Sequence, residues 1–291
     1  MVHQLDDELR SSAGFNVSVP NSARLWNYWL GGKDNFAADR AAAQEAARAL
    51  PLMPAIARVA RRFVLAAVWE LAKDGICQFL DIGMGLPVND ECTHEVAQCL
   101  APDVRVVYVD NDPIAASHGR ALLARGGIGI TDCLELDLRD TSEILAAAGQ
   151  TLDFSQPVAV LLSAVLDFIP DAADPWGPVA QLVDALAPGS YLMIAHVASD
   201  IEPAAVAAMA EAYNERAAST ITPRSQEQVA RFFDGMTLTH PGVVPATGWY
   251  GPDDAVGALP AYFGLGVKPA RSRLTVLRVD RPRGAGAPWQ P

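Results

Sequence analysis

Residues 79–85 read Phe-Leu-Asp-Ile-Gly-Met-Gly, an apolar run leading straight into Asp81-Ile82-Gly83-Met84-Gly85. The apolar residues suit a buried parallel strand. The glycines suit a sharp turn after it, where the backbone approaches a ligand with no Cβ in the way. Position 87, where a third glycine of a dinucleotide fingerprint would fall, is proline, and the acidic Asp81 precedes the first glycine. Pyrophosphate favours a helix N-terminus free of nearby negative charge, so both features argue against that ligand, while a carboxylate here suits a cationic one. Taken alone, the glycine pair is equally consistent with an ordinary strand-to-helix turn.

The next segments extend the pattern. Residues 104–110 form an apolar strand ending in Asp110, followed by Asn111-Asp112-Pro113. Asp112 suits the N-cap of a helix opening at Pro113, which leaves Asp110 without a local duty. At a strand tip, an aspartate can accept both hydroxyls of a ribose. Residues 128–136 contain a weaker strand, followed by Asp137-Leu138-Arg139-Asp140; Asp137 is placed to reach an adenine amino group. Three acidic residues ending three successive strands around a glycine turn indicate a crevice beyond the carboxyl ends of an open parallel sheet.

The rest of the chain keeps the alternation. Strands are expected over 77–81, 104–110, 157–164 and 191–197, and helices over 113–125, 142–148, 175–186 and 203–218. Hydrophobic strands alternating with helices mean parallel βαβ units covered on both faces. Ahead of the sheet, Asn21 or Ser22 can cap a helix that ends at Gly31-Gly32, and an alanine-rich helix runs from 39 to 50. A third helix places Ile56, Val59, Ala60, Phe63, Val64, Ala67, Val68 and Leu71 on one stripe. Ser225-x-x-Gln228 reads as a capping box. An antiparallel hairpin is expected from 236–240 and 274–279 across a Gly/Pro-rich excursion. Residues 1–19 are expected to form a loose arm, 20–280 one domain with a helical cap over 20–75, and 281–291 a disordered tail.

Composition narrows the function classes. The chain has 291 residues, 51% of them hydrophobic, and a net charge of −12, which disfavours nucleic acid and anionic membrane surfaces as partners. Cys77, Cys92, Cys99 and Cys133 form no CxxC pair and read as small buried hydrophobes in a reducing compartment; no metal site is expected. The opening is acidic and polar, unlike a secretory signal, and no apolar run is long enough to span a bilayer, so a cytoplasmic protein is expected. Gly-x-Ser-x-Gly and a Walker phosphate loop are both absent.

The stretches LDIGMGLP, VVYVDNDP and LELDLRD resemble the successive cofactor motifs of class I S-adenosylmethionine-dependent methyltransferases. The segment from about 20 to 268 is more closely similar to an actinobacterial branch of that superfamily. PNSARLWNYWLGGKDNFAADR, THEVAQ, LDFSQPVAVLL, DALAPGSYL and RSQEQVARFFDG carry the similarity. The resemblance implies a Rossmann-like α/β fold with a seven-stranded, mostly parallel sheet, a last antiparallel hairpin and an N-terminal helical extension. It also implies S-adenosylmethionine as cofactor. By the same resemblance, Asp81, Gly83, Met84 and Gly85 would line the methionine side, Asp110 with Asn111 the ribose, Asp137 and Leu138 the adenine, and Ser163 would lie near the cofactor. Two departures stand out. Leu166-Asp167-Phe168 replaces the branch's usual leucine-histidine-phenylalanine, and AYFGLGVKP replaces a more basic, glycine-rich version.

The N-terminal aromatic segment reads as a lid. Trp26 and Trp29 are assigned to packing, and Tyr28 with Lys33-Asp34-Asn35 to the site, with Lys33 or Arg24 available for a carboxylate. The expected reaction is in-line methyl transfer to a small-molecule acceptor, in which an oxygen or nitrogen nucleophile draws on a base; Asp167, His196 and Tyr28 are the candidates. A cofactor-binding protein without transfer activity is the alternative. A dehydrogenase is disfavoured by Asp81 and Pro87.

Overall fold

The computed structural model describes residues 16–88, 92–123, 129–249 and 259–270. Three helices come first: α1 (Ser22–Trp29), α2 (Ala37–Ala49) and α3 (Met53–Lys73). They are followed by β1 (Gln78–Ile82), α4 (Thr93–Gln98), β2 (Arg105–Asp110), α5 (Pro113–Leu123), β3 (Ile130–Glu135), α6 (Thr141–Ala148), β4 (Ala159–Ser163), α7 (Trp176–Ala185) and β5 (Tyr191–Val197). The last elements are α8 (Pro203–Asn214), α9 (Gln226–Ala230), β6 (Thr237–Leu238), β7 (Val244–Pro245) and β8 (Ala261–Val267). Helix α4 carries no strong apolar period; Glu95 caps it by accepting the Cys92 N–H at 2.9 Å.

The sheet order is β3-β2-β1-β4-β5-β8-β6, parallel from β3 to β5 and antiparallel at β8. This is a Rossmann-like sheet with a reversed end. Both β6 and β7 run along the outer edge of β8, with Leu238 opposite Gly266 and Val244 opposite Phe263. Six residues advance on the edge chain against three on β8, so 239–243 bulge out and split one edge strand in two. The sheet thus has eight strands in seven positions. The inner arm of the hairpin is β8, inside the Gly/Pro-rich excursion; residues 274–279 lie outside the described residues, as does the 281–291 tail. The sequence AYFGLGV is therefore a buried central strand. Lys268 after it donates to the Val183, Asp184 and Leu186 carbonyls at the end of α7.

Strand alternation sorts the core into two layers. Phe79, Val106, Tyr108, Leu161, Met193 and Phe263 pack towards α1–α3 and α8, while Leu80, Ile82, Val107, Val160 and Ile194 pack towards α6, α7 and α9. The same period puts Asp81 on the α3 face. The cap is pinned by a buried ion pair between Arg24 and Asp39, and Asp39 also accepts the Asn21 and Phe36 N–H groups at 3.0 and 2.8 Å. Arg24 is thus committed to structure, and Lys33 is exposed, so neither offers the carboxylate contact expected of it. Cys92 and Cys133 are buried as expected; Cys77 and Cys99 are exposed.

Candidate active site

The turn after β1 needs its glycines for different reasons. Gly83 has φ +79° and Gly85 φ +62°, both left-handed. A Cβ on Gly83 would lie 2.6 Å from the Val165 Cβ, whereas one on Gly85 would meet nothing within 4 Å. Gly83→Ala is therefore expected to cost about 2–3 kcal/mol, from left-handed strain plus overpacking, and Gly85→Ala only about 1 kcal/mol. Thermal unfolding of the two variants checks this; equal losses would refute the clash with Val165.

The turn and the neighbouring strand tip hold each other. Asp110 is 6% exposed and accepts the Gly85 N–H at 2.8 Å on one oxygen and the Asp112 N–H at 2.9 Å on the other. Each oxygen keeps a second lone pair. Burial outweighs these bonds and pushes the carboxyl up to about 6. Asp112 caps α5 by accepting the Ile114 N–H at 2.8 Å. Asp81 is buried and accepts the Thr93 hydroxyl at 2.6 Å; burial raises its pKa, with Arg61 opposing.

Asp137 differs. Its Oδ1 accepts the backbone and Nε groups of Arg139, and its Oδ2 accepts Arg139 Nη2 and Asn111 Nδ2, at 2.8–2.9 Å throughout. The Arg139 guanidinium brings the carboxyl down to about 2. All four of its acceptor positions are filled, so an adenine amino group would have to displace one of these donors. That is a correction to the contact expected from the sequence alone.

These groups line one cleft beyond the carboxyl ends of β1 to β4, about 1170 Å³ with the open solvent at its mouth included. Asp81, Gly83, Met84, Gly85, Asp110, Asn111, Asp137, Leu138 and Ser163 all contribute to its wall. So does Ala164, a non-glycine residue at φ +55°, a strained conformation of the kind held at ligand sites. Opposite them stand α1 and one face of α3.

The model of the S-adenosyl methyltransferase family matches residues 9–269. The chain belongs to that family. It is an S-adenosylmethionine-dependent methyltransferase. A DUF574 family protein from Streptomyces avermitilis superposes with a TM-score of 0.82 at 36% identity, covering 87% of this chain and 100% of the other. A Thermobifida fusca protein of known crystal structure superposes with a TM-score of 0.79 at 38% identity, covering 88% and 98% of the two chains. No curated protein matches.

The structure keeps the three candidate bases of this methyltransferase out of the cleft. Tyr28 points away from it, its hydroxyl accepting Gln44 Nε2 at 3.0 Å on the outer side of the cap. Asp167 is fully buried beneath the cleft floor, where Oδ1 accepts the Val197 N–H at 2.9 Å. His196 is buried beside it. Its Nδ1 lies 2.9 Å from the Val197 carbonyl and 3.1 Å from Asp167 Oδ1, and its Nε2 accepts Arg224 Nη1 at 2.8 Å. Burial lowers the pKa of this imidazole, as does Arg224. It is a neutral, fully engaged core group, so the departure at 167 serves a buried network.

Three wall residues were not foreseen. Arg61, off the apolar stripe of α3, is half-buried and lines the cleft. The signal was present: it falls four residues after Ala57 and three before Val64, at the margin of the apolar stripe. Trp26, assigned to packing, also lines the cleft, whereas Trp29 is buried with its indole N–H on the Ala43 carbonyl at 3.2 Å. Asn27 is the third. Both Trp26 Nε1 and Asn27 Nδ2 are buried without an acceptor among the described residues, each a cost of about 1–3 kcal/mol until a partner arrives.

Proposed function

We propose that this cleft holds S-adenosylmethionine along the strand tips and presents it to a small-molecule acceptor lodged under α1. The single observation that carries the reading is Asp110, a buried carboxylate whose two oxygens are each fixed by one backbone N–H and each keep one position for a ribose hydroxyl. Asp81 suits the amino group of the methionine end, and Arg61 its carboxylate. Leu138, with Asn111 beside it, offers an apolar edge for adenine. The open space over Gly85 lets the chain of the cofactor pass close to the backbone. Met84 and Ser163 complete the wall.

When bound, S-adenosylmethionine supplies a methyl whose bond to sulfur breaks as the acceptor's lone pair bonds to carbon, leaving neutral S-adenosylhomocysteine and releasing the acceptor's proton to solvent. The chain's contribution is alignment and exclusion of water, worth about 7–11 kcal/mol in favourable cases. Among the described residues, none of the side chains that α1, Ala57, Ala60 and the 164–169 turn present to the cleft is ionisable. The acceptor's own acidity therefore governs its reactivity.

Titration of S-adenosylhomocysteine into the protein tests the cofactor assignment, and its pH dependence is specific. The ribose hydroxyls need ionised Asp110, so the proton and the ligand compete. Affinity should fall as pH drops through about 6, by about tenfold per unit below it, and level off above. Apo stability should move oppositely. Because the folded pKa lies above the unfolded one, the native state holds the extra proton, and the Asp110 contribution declines as pH rises from about 4 to about 6. A flat binding profile between about pH 5 and 8 would remove the ribose role. Accumulation of S-adenosylhomocysteine on adding cell extract would separate methyl transfer from binding alone.

A further inference from the structure

We propose that Thr93 is a positioning residue for the cofactor, its hydroxyl aiming the Asp81 carboxylate at the α-amino group of the methionine end; this rests on Asp81 receiving that amino group. Thr93 is the first residue of α4 and is fully buried. Its hydroxyl donates to Asp81 Oδ2 at 2.6 Å, the length of a charge-assisted bond. Among the described residues it is the one donor to that carboxylate. Asp81 lines the cleft, and its Oδ1 keeps accessible surface, unlike the sealed Asp167 Oδ2. The free oxygen is thus left for a donor arriving in the cleft, and turning it away would break the Thr93 bond. Burial raises the Asp81 pKa, and the Thr93 bond opposes burial more strongly than Arg61 does. The hydroxyl therefore also favours the charged form that an ammonium group needs.

The fold fixes Thr93 from both sides. Asp81 and Tyr108 are register partners on β1 and β2, so their side chains leave the same face of the sheet. They grip consecutive residues of α4. Tyr108 Oη accepts the His94 backbone N–H at 2.9 Å and lies 2.9 Å from His94 Nδ1, to which it gives its own proton. On the other side of Thr93, the Cys92 N–H is held by Glu95. A helix without an apolar stripe is located by these polar ties. A threonine or serine at a helix start ordinarily bonds neighbouring backbone. Thr93 instead spends its proton on a carboxylate twelve residues away.

The test titrates the full chain in calorimetry with S-adenosylhomocysteine and with its desamino analogue, which keeps the adenosine and the carboxylate and lacks only the α-amino group. Thr93→Val removes the hydroxyl at nearly constant volume. It should weaken S-adenosylhomocysteine about tenfold, the range for one hydrogen bond to a charged group, and the analogue less than about twofold. Thr93→Ser keeps the hydroxyl and should stay within about threefold of wild type on both ligands. A threonine that only packs α4 would move both ligands alike. Where Thr93→Val does not fold, Thr93→Cys decides: a weak donor of similar volume, it should lose at least about threefold on S-adenosylhomocysteine alone. Equal weakening of the two ligands, wild-type affinity in the decisive variant, or a Thr93→Ser protein as weak as Thr93→Val would overturn the inference. A wild-type chain that binds the two ligands equally would overturn the Asp81 assignment and the inference with it. One that binds neither would overturn the cofactor reading, so each failure shows in a different titration.

Discussion

Asp110→Asn is expected to weaken S-adenosylhomocysteine binding by about a hundredfold, or about 2.7 kcal/mol, while leaving thermal stability nearly unchanged. The asymmetry follows from what the carboxylate does in each state. In the free protein it is a desolvated acid with its pKa pushed up to about 6, so neutralising it removes a burial cost. Against that gain, the amide N–H2 must face either the Gly85 or the Asp112 N–H, both now held by carboxylate oxygens. In the complex the loss is larger: one ribose hydroxyl keeps an acceptor, the other meets a donor, and the Gly85 turn loses its anchor. Calorimetry and a melting curve on the same sample decide it. Wild-type affinity would mean that Asp110 only staples the turn, and a collapse in stability would make its role structural.

The second large effect lies beneath the site. Arg224→Met should destabilise the fold by about 3–5 kcal/mol, or roughly 10 °C, since removing one partner from a buried charged network leaves the others unpaired. Arg224 is fully buried. It donates to the Leu166 and Ile169 carbonyls at 2.8 and 2.6 Å, to His196 Nε2 at 2.8 Å, and to Asp171 at 2.8 and 3.0 Å, with its guanidinium 5.5 Å from the ring centroids of both Trp176 and Phe232. Lysine would not rescue it, because one ammonium cannot reproduce the planar fork. The turn it clamps carries Val165, Phe168 and Ile169 into the cleft wall, so cofactor affinity should drop as well. A loss below about 1 kcal/mol in denaturant unfolding would show the network to be dispensable.

Most of the strand-tip side of the cleft was legible beforehand because it is local. A strand, a glycine turn and an acid at each strand tip are nearest-neighbour features, and parallel pairing brings successive tips side by side. Asp110, the capping Asp112 and the glycines at positive φ needed no tertiary information. Asp137 was placed correctly but its availability was not: only the folded turn brings Arg139 and Asn111 onto both its oxygens. The α1 side of the cleft was misread for the opposite reason. Trp26, Tyr28 and Trp29 are adjacent on one short helix, and which of them faces the cleft depends on how α1 sits on α2, fixed by Arg24 and Asp39 fifteen residues apart. Asp167 read as a base because it stands where the family branch carries histidine, and His196 because it ends a strand; long-range bonds, from Arg224 to His196 and from the Val197 N–H to Asp167, hold both inside.

Sequence by itself determined the α/β alternation, the glycine turn and the acidic tips, because periodicity and backbone conformation are written in neighbouring residues. Only the tertiary structure decided which polar groups stay free. Saturation of Asp137, burial of Asp167 and His196, and the unpaired donors of Trp26 and Asn27 each depend on partners brought from elsewhere in the chain. A hydrogen bond is short-ranged, so whether a donor is spent or available is settled only once packing has put its neighbours in place.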